Sequence, residues 1–241
     1  MAPNSTMHLL LLEDENNVGS TVKERLSLEG FDVTWAQTVA DAKTALQTQA
    51  YALALLDVNL PDGSGFDVGK LIRARYPSIA MVFLTAAGTT EDRIHGLELG
   101  AEDYIVKPFN FKELHLRIQN VLKRIQFIHQ NLSTHEEVQI GKALVRFNQY
   151  EIVENTDSKK DGEKHHLSHK ECALLKLLYD KRGQVVSRDE ILNLVWSEDE
   201  YPTPRTIDNF VLRLRKLLEP DVNVPTVIRS VRGVGYLMEK E

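Results

Sequence analysis

Five times in the first half of this chain, a short apolar run is followed by an amphipathic stretch. "HLLLL" (8–12), "FDVTW" (31–35), "ALALL" (52–56), "IAMVFL" (79–84) and "DYIV" (103–106) read as strands, whereas 16–29, 38–48, 65–76, 90–98 and 110–129 carry apolar residues at helical spacing. Several of the strands are continuously apolar instead of alternating, which predicts a sheet buried on both faces. The fold class expected is therefore α/β, with a five-stranded, doubly wound parallel sheet. In such sheets the functional groups gather at the carboxyl ends of the strands.

Four of those ends carry polar or charged residues that together suggest a site. The first run is followed by Glu13, Asp14 and Glu15, the third by Asp57, the fourth by Thr85, and the fifth by Lys107 and Pro108. Each has a structural explanation when taken alone: an acid near a helix N-terminus is stabilising, and "PDG" at 61–63 is an ordinary turn. Together they bring acids, a hydroxyl and an ammonium to one rim. Clustered carboxylates repel unless a cation sits among them, and hard oxygen ligands with an open side suit Mg²⁺. Lys107 and Thr85 can then engage the oxygens of a phosphoryl group, leaving Asp57 as the nucleophile.

"LLEDE", "LLDVNLPDGSG", "LTA" and "GAEDYIVKPF", in that order and spacing, resemble the receiver domain of two-component response regulators over about the first 125 residues. The resemblance implies that Asp57 is the phosphoacceptor, served by a sensor histidine kinase. It further implies Asp14 as a direct Mg²⁺ ligand, Glu13 as a partner acting through water, and the carbonyl of Asn59 as another ligand. Glu13 stands where many receivers have Asp, and altered metal affinity is the most this should cause. Asn59 and Ala87 lie at positions that tune the access of water in this family. Thr85 and Tyr104 match the positions that report phosphorylation. A half-buried strand tyrosine with a wet hydroxyl is the plainer reading of Tyr104.

By resemblance to the DNA-binding subfamily of such regulators, Arg93, Glu102, Asp103, Glu113, Arg117 and Arg124 match an isologous dimer face formed by the segments 90–98, 103–106 and 110–129. The reciprocal pairs implied are Arg93 with Glu113, Asp103 with Arg117, and Glu102 with Arg124. A solvated face with an intrahelical Glu113–Arg117 pair is the alternative.

The second half has a different grammar. "NLSTHEE" (131–137) offers few core residues and reads as a linker. "VQIGKALVRFNQYEIVEN" gives short β-like segments, and "TDSKKDGEKHH" reads as a charged hairpin loop. His165, His166 and His169 have no carboxylate or thiol at ligand spacing and read as solvated. "LSHKECALLKLLYDKRG" is a helix with a Ser168–Glu171 capping box, an apolar face of Leu174, Leu175 and Leu178, and Gly183 at its end. "SRDEILNLVW" repeats the capping pattern with Ser187 and Glu190. "TPRTIDNFVLRLRKLLE" (203–219) aligns Ile207, Phe210, Val211, Leu214, Leu217 and Leu218 on one stripe, and the hairpin "TVIRSVRGVGYLM" completes a mostly α winged helix-turn-helix.

The basic residues sit where such a domain needs them. Arg205, Arg213, Arg215 and Lys216 face Asp208 alone on the third helix, and Arg229 and Arg232 lie on the hairpin, which suits contact with double-stranded DNA. "RTIDNFVLRLRKLLE" and "IRSVRGVGY" resemble the OmpR/PhoB-type effector domain over about the last 105 residues. That resemblance points to Arg213 and Arg232 as the leading DNA contacts, with Arg205 and Arg215 structural or phosphate-facing. Leu212, Asn209 and Phe210 depart from common choices. The loop 197–204 falls where relatives contact RNA polymerase; an acidic, proline-stiffened turn is the alternative.

The domain boundaries expected are 1–128 for the receiver, 129–137 for the linker and 138–241 for the DNA-binding domain. Net charge is −6 and both halves carry more acidic than basic residues, so a protein that coats nucleic acid indiscriminately is excluded. No apolar run reaches the roughly 18 residues of a membrane span, "MAPNSTMHLL" lacks the marks of a signal peptide, and the single Cys172 among apolar neighbours reads as a buried thiol. A cytoplasmic protein is expected.

The function expected is a phosphorylation-activated regulator of transcription. Phosphoryl transfer to Asp57 drives homodimerisation and binding to tandem half-sites, with slow self-dephosphorylation as its only enzymatic activity. Two other readings compete with it: a constitutively dimeric regulator indifferent to phosphorylation, and a phosphatase of the haloacid-dehalogenase type. The latter needs a second acid two residues after the nucleophile, where this chain has Asn59.

Overall fold

The computed structural model describes residues 7–86, 99–132, 137–154, 162–196 and 204–240. The chain divides into two compact units, Met1–Ile125 and Gln126–Glu241.

In the first unit, strands β1 (His8–Leu12), β2 (Asp32–Ala36), β3 (Leu53–Asp57), β6 (Ala80–Thr85) and β7 (Asp103–Val106) form a parallel sheet in the order β2-β1-β3-β6-β7. Helices α1 (Asn16–Leu28), α2 (Val39–Thr48), α3 (Gly65–Arg75) and the part of α4 (Phe111–Leu132) up to Ile125 accompany it. Because successive side chains alternate across a strand, each apolar run feeds two cores. Leu9, Leu11, Leu53, Leu55, Val82 and Leu84 meet Leu26 of α1 and Ile118 of α4 on one face. Leu10, Leu12, Ala54, Leu56 and Phe83 meet Leu46 of α2 and Ile72 of α3 on the other. Continuous apolarity is thus the consequence of two covered faces. The strand order reverses between β1 and β3, so their carboxyl ends flank the crevice where such sheets place their sites.

The connection after β3 is a small hairpin, β4 (Asn59–Leu60) with β5 (Gly63–Ser64), followed at once by α3. Ser64 caps that helix by accepting from the Phe66 amide at 3.2 Å. A side chain at Gly65 would lie 2.1 Å from the Asp57 carbonyl oxygen, so glycine is what lets the helix start against the end of β3. Strand ends differ from expectation by about a residue, and Asp57 itself lies within the buried strand. Helix α4 runs through Leu132, three residues past the helical stretch 110–129 expected from the sequence and into the stretch 129–137 expected as linker. Polar composition suggested a linker, but no glycine or proline interrupts 111–132 to stop the helix. The segment 90–98 lies outside the described residues.

In the second unit, β8 (Val138–Ile140), β9 (Ala143–Arg146), β10 (Glu151–Glu154) and β11 (Lys164–His166) form an antiparallel sheet. Three helices follow, α5 (His169–Asp180), α6 (Arg188–Val195) and α7 (Pro204–Leu218). A second sheet joins β12 (Val185–Ser187) to the hairpin β13 (Ile228–Val231) and β14 (Gly235–Met238). Leu174, Leu175, Leu178, Ile191, Ile207, Leu214 and Ile228 share one core with the first sheet.

The capping box of α5 is complete, with Ser168 and Glu171 bonded reciprocally. That of α6 is half made: Ser187 accepts from the Glu190 amide at 3.1 Å, while the Glu190 carboxylate pairs with Lys181. Gly183, at φ +81°, turns the chain after α5. His169 departs from the expectation of a solvated imidazole: its ring is buried against Tyr150, with centroids 4.6 Å apart. Cys172 is fully buried, and burial pushes its thiol pKa up. No described helix is long and apolar enough to cross a membrane.

Candidate functional site

The rim of the first unit is assembled by backbone pairing. Leu12 pairs with Leu56, Asp57 with Leu84, and Thr85 with Val106, so residues 13, 57, 85 and 107 arrive side by side. The Glu13 amide donates to the Ala36 carbonyl at 3.1 Å and the Lys107 amide to the Thr85 carbonyl at 2.7 Å, which extends the sheet past its last rungs. The Trp35 indole donates to the Glu13 carbonyl at 2.8 Å. The Lys107–Pro108 peptide is cis.

Glu13 and Asp57 are both buried, at 0% and 4% exposure, and one ammonium serves them. Lys107 Nζ lies 2.6 Å from Glu13 Oε2, 2.8 Å from Glu13 Oε1 and 2.5 Å from Asp57 Oδ2. Burial pushes the Glu13 pKa above the usual carboxylate value, and its contacts with Lys107 only partly counter this. Burial also opposes the charge on Lys107, but its hydrogen bonds to Asp57 and Glu13 outweigh that and hold its pKa above the usual value. The other oxygen of Asp57 accepts from the Asn59 amide at 3.0 Å. Asp14 is half-buried and lines a shallow groove with Asn59, Pro61, Ser64 and Phe66.

Glu13, Asp14 and Asp57 offer carboxylate oxygens that all lie within 4.8 Å of one another. An all-oxygen set beside an open groove fits a hard divalent cation that retains water, as Mg²⁺ does. Thr85 is buried at the end of β6. The Tyr104 ring is half-buried and stacks on Phe83 at 5.5 Å, with 24° between the planes.

The residues implicated in a dimer face pair within the chain. Arg117 binds Asp103 at 2.9 Å and Glu113 at 3.0 Å, and Arg124 binds Glu102 at 3.2 Å. Arg93 and Ala87 lie outside the described residues.

The basic residues of the second unit fall into two sets. Arg213 Nε pairs with the buried Glu171 at 2.9 Å. Arg215 donates to the Ile228 carbonyl at 2.8 Å and the Ser230 hydroxyl at 3.0 Å, tying α7 to the hairpin, and Arg229 pairs with Glu239 at 2.7 Å. Lys216 and Arg232, by contrast, are exposed and make no ion pair among the described residues. Arg205 lies in α7, but its side chain, like the loop 197–203, is outside what the structure describes.

Sequence reasoning missed the residues that hold these sites in place. The Asp62 carboxylate accepts from the Val39 amide at 2.9 and 3.2 Å, fastening the hairpin beside Asp57 to the start of α2. The Glu219 carboxylate is fully buried and accepts from the amides of Thr226, Val227 and Ile228 at 2.7 to 3.0 Å. Tyr236 hydrogen-bonds Asp208, which also receives Arg188 at 3.2 Å. An acid in a turn or after a helix is too common to have signalled Asp62 or Glu219, and nothing local ties Asp208 of α7 to Tyr236, 28 residues on.

Residues 9–119 match the family described as response regulator receiver domain, and residues 162–238 match that described as transcriptional regulatory protein, C terminal. The two matches in one chain define a response regulator that acts on transcription through a DNA-binding domain. Among curated relatives, the transcriptional regulatory protein GltR of Pseudomonas aeruginosa is 37% identical, over 95% of this chain and 93% of GltR. Among solved structures, a RitR mutant is 26% identical with a TM-score of 0.78. DrrB of Thermotoga maritima, described as an OmpR/PhoB homolog, is 27% identical with a TM-score of 0.50. Each match spans 98% of this chain and 100% of the other. The chain belongs to the OmpR/PhoB family of response regulators.

Proposed function

We propose that a sensor histidine kinase phosphorylates Asp57 and that the product drives homodimerisation and binding to tandem DNA half-sites. In the transfer, the phosphorus–nitrogen bond of a phosphohistidine breaks as a bond from Asp57 Oδ to phosphorus forms. The observation that carries the reading is the buried Asp57 held by Lys107 at 2.5 Å beside a groove that reaches solvent. Glu13, Asp14, Asp57 and the carbonyl of Asn59 would hold Mg²⁺, which supplies charge neutralisation for the incoming phosphoryl group. Lys107 neutralises the product, and Thr85 donates its hydroxyl to it.

Each phosphorylation adds about −1.5 to −2 charges at the rim. Thr85 moving toward that charge frees space beside β6 and β7, and Tyr104, already stacked on Phe83, turns further inward. The ion pairs of Asp103, Glu113 and Arg117 and of Glu102 and Arg124, closed within one chain, exchange across the dimer face, with Arg93 joining Glu113. Joining two second units raises the effective concentration at the second half-site, so dimerisation alone strengthens DNA binding. Helix α7 then enters the major groove and the hairpin lies beside it, with Arg205, Arg213, Arg215, Lys216, Arg229 and Arg232 supplying charge. RNA polymerase meets the loop 197–204, slow self-dephosphorylation resets the cycle, and the protein works in the cytoplasm.

The test is oligomeric state and DNA affinity for wild type and Asp57→Ala, with and without Mg²⁺ and beryllofluoride. Dimerisation and tighter binding by treated wild type alone support the proposal. Equal dimerisation and binding by both proteins without treatment would favour a constitutive dimer.

A further inference from the structure

The outward face of α7 is set by its inward one. Ile207, Phe210, Val211, Leu214 and Leu218 are buried, and at 3.6 residues per turn the direction opposite that stripe falls within about 40° of Asn209, Leu212 and Lys216. All three are exposed, Leu212 by 44%. Two arginines of the helix are engaged elsewhere: Arg213 Nε by Glu171, and Arg215 by the Ile228 carbonyl and Ser230. The middle of the outward face therefore presents an amide and a branched aliphatic side chain.

Single exposed leucines are ordinary on protein surfaces. This one sits between Asn209 and Lys216 on the face of α7 that the DNA-binding reading turns toward the major groove. An aliphatic side chain gains there only from an apolar group, and the one that a base edge offers in that groove is the 5-methyl of thymine. Asn209, one turn back, matches the N6 donor and N7 acceptor of adenine.

We propose that Leu212 is a specificity-determining residue that packs on a thymine methyl, with Asn209 reading an adenine of a neighbouring pair. The centre of each half-site is then A·T. Lys216, one turn on, contacts phosphate. The inference rests on the DNA-binding reading and extends it to sequence preference.

The experiment uses the full chain with Mg²⁺ and beryllofluoride. Preferred duplexes are selected from a random-sequence pool, and affinity is measured at one salt concentration with each thymine replaced in turn by deoxyuridine, which removes only the methyl. Deoxyuridine at one thymine per half-site is expected to weaken wild type about 4-fold, the worth of one buried methyl group. Leu212→Ala should bind the thymine site more weakly by a similar factor and be indifferent to deoxyuridine. Leu212→Arg, a second variant on the same exposed position, should select guanine there. Wild type indifferent to deoxyuridine at every position, or Leu212→Ala keeping the full penalty, overturns the inference while leaving DNA binding intact. A wild type that enriches no sequence overturns the reading of specific tandem half-sites and the inference with it.

Discussion

The two units place charge in opposite ways. At the rim of the first, Glu13 and Asp57 are buried and repel each other, and the single ammonium of Lys107 holds both. On α7 of the second, Lys216 is exposed and Asn209 and Leu212 stand beside it in solvent. Such a buried cluster is brittle at its cation, because removing the ammonium leaves both acids uncompensated. An exposed face is tolerant, because water replaces whatever is removed. The first arrangement suits a chemical step at one atom, and the second suits a surface that changes its sequence preference without loss of fold.

The largest effect that would sharpen this contrast is expected from Lys107→Ala. Leaving two buried carboxylates without their cation should cost the first unit about 3 kcal/mol in metal-free buffer. Urea unfolding measures it, and added Mg²⁺ should restore part of the loss. A change below about 0.5 kcal/mol, the scale of a surface substitution, would break the contrast.

Glu219 tests it from the other side, as a buried carboxylate of the second unit satisfied by backbone amides. Glu219→Ala should cost about 2 kcal/mol by stranding those donors. It should also weaken DNA binding by loosening β13.

A smaller effect is expected at alkaline pH. Burial, followed by the hydrogen bond to Asp208, pushes the Tyr236 pKa up to about 12. An unfolded tyrosine loses its proton near 10. Between those values the unfolded chain binds fewer protons than the folded one, so stability falls as pH rises from about 10 to 12. Tyr236→Phe should flatten that part of the decline; an unchanged slope by denaturant unfolding would count against it. The smallest effect belongs to Lys216→Ala, which should leave stability within about 0.5 kcal/mol of wild type and lower the salt slope of DNA binding by about one unit.

The sites were unequally legible. Asp57 and Lys107 could be read because each follows an apolar run, and parallel strands bring their ends together whatever the loops do. Their sharing of one ammonium could not, since nothing local tells Lys107 which acids it will meet. Arg213 was legible as a cation on a basic helix, but its engagement by Glu171 was not, because that acid was already accounted for by its own capping box. His169 looked solvated beside two other histidines until the fold laid Tyr150 against it. The end of α4 was not legible either, because polarity alone does not end a helix.

Periodicity and punctuation are properties of neighbours along the chain, and they determined the doubly wound sheet, the rim, the three later helices and the hairpin. Pairings between long side chains on distant segments were decided only by tertiary structure. Lysine, arginine and glutamate have many rotamers and several partners within reach, and only packing fixes which contact survives. The backbone pattern sets where chemistry is possible, and the packed side chains set which groups are held and which are left to meet a partner.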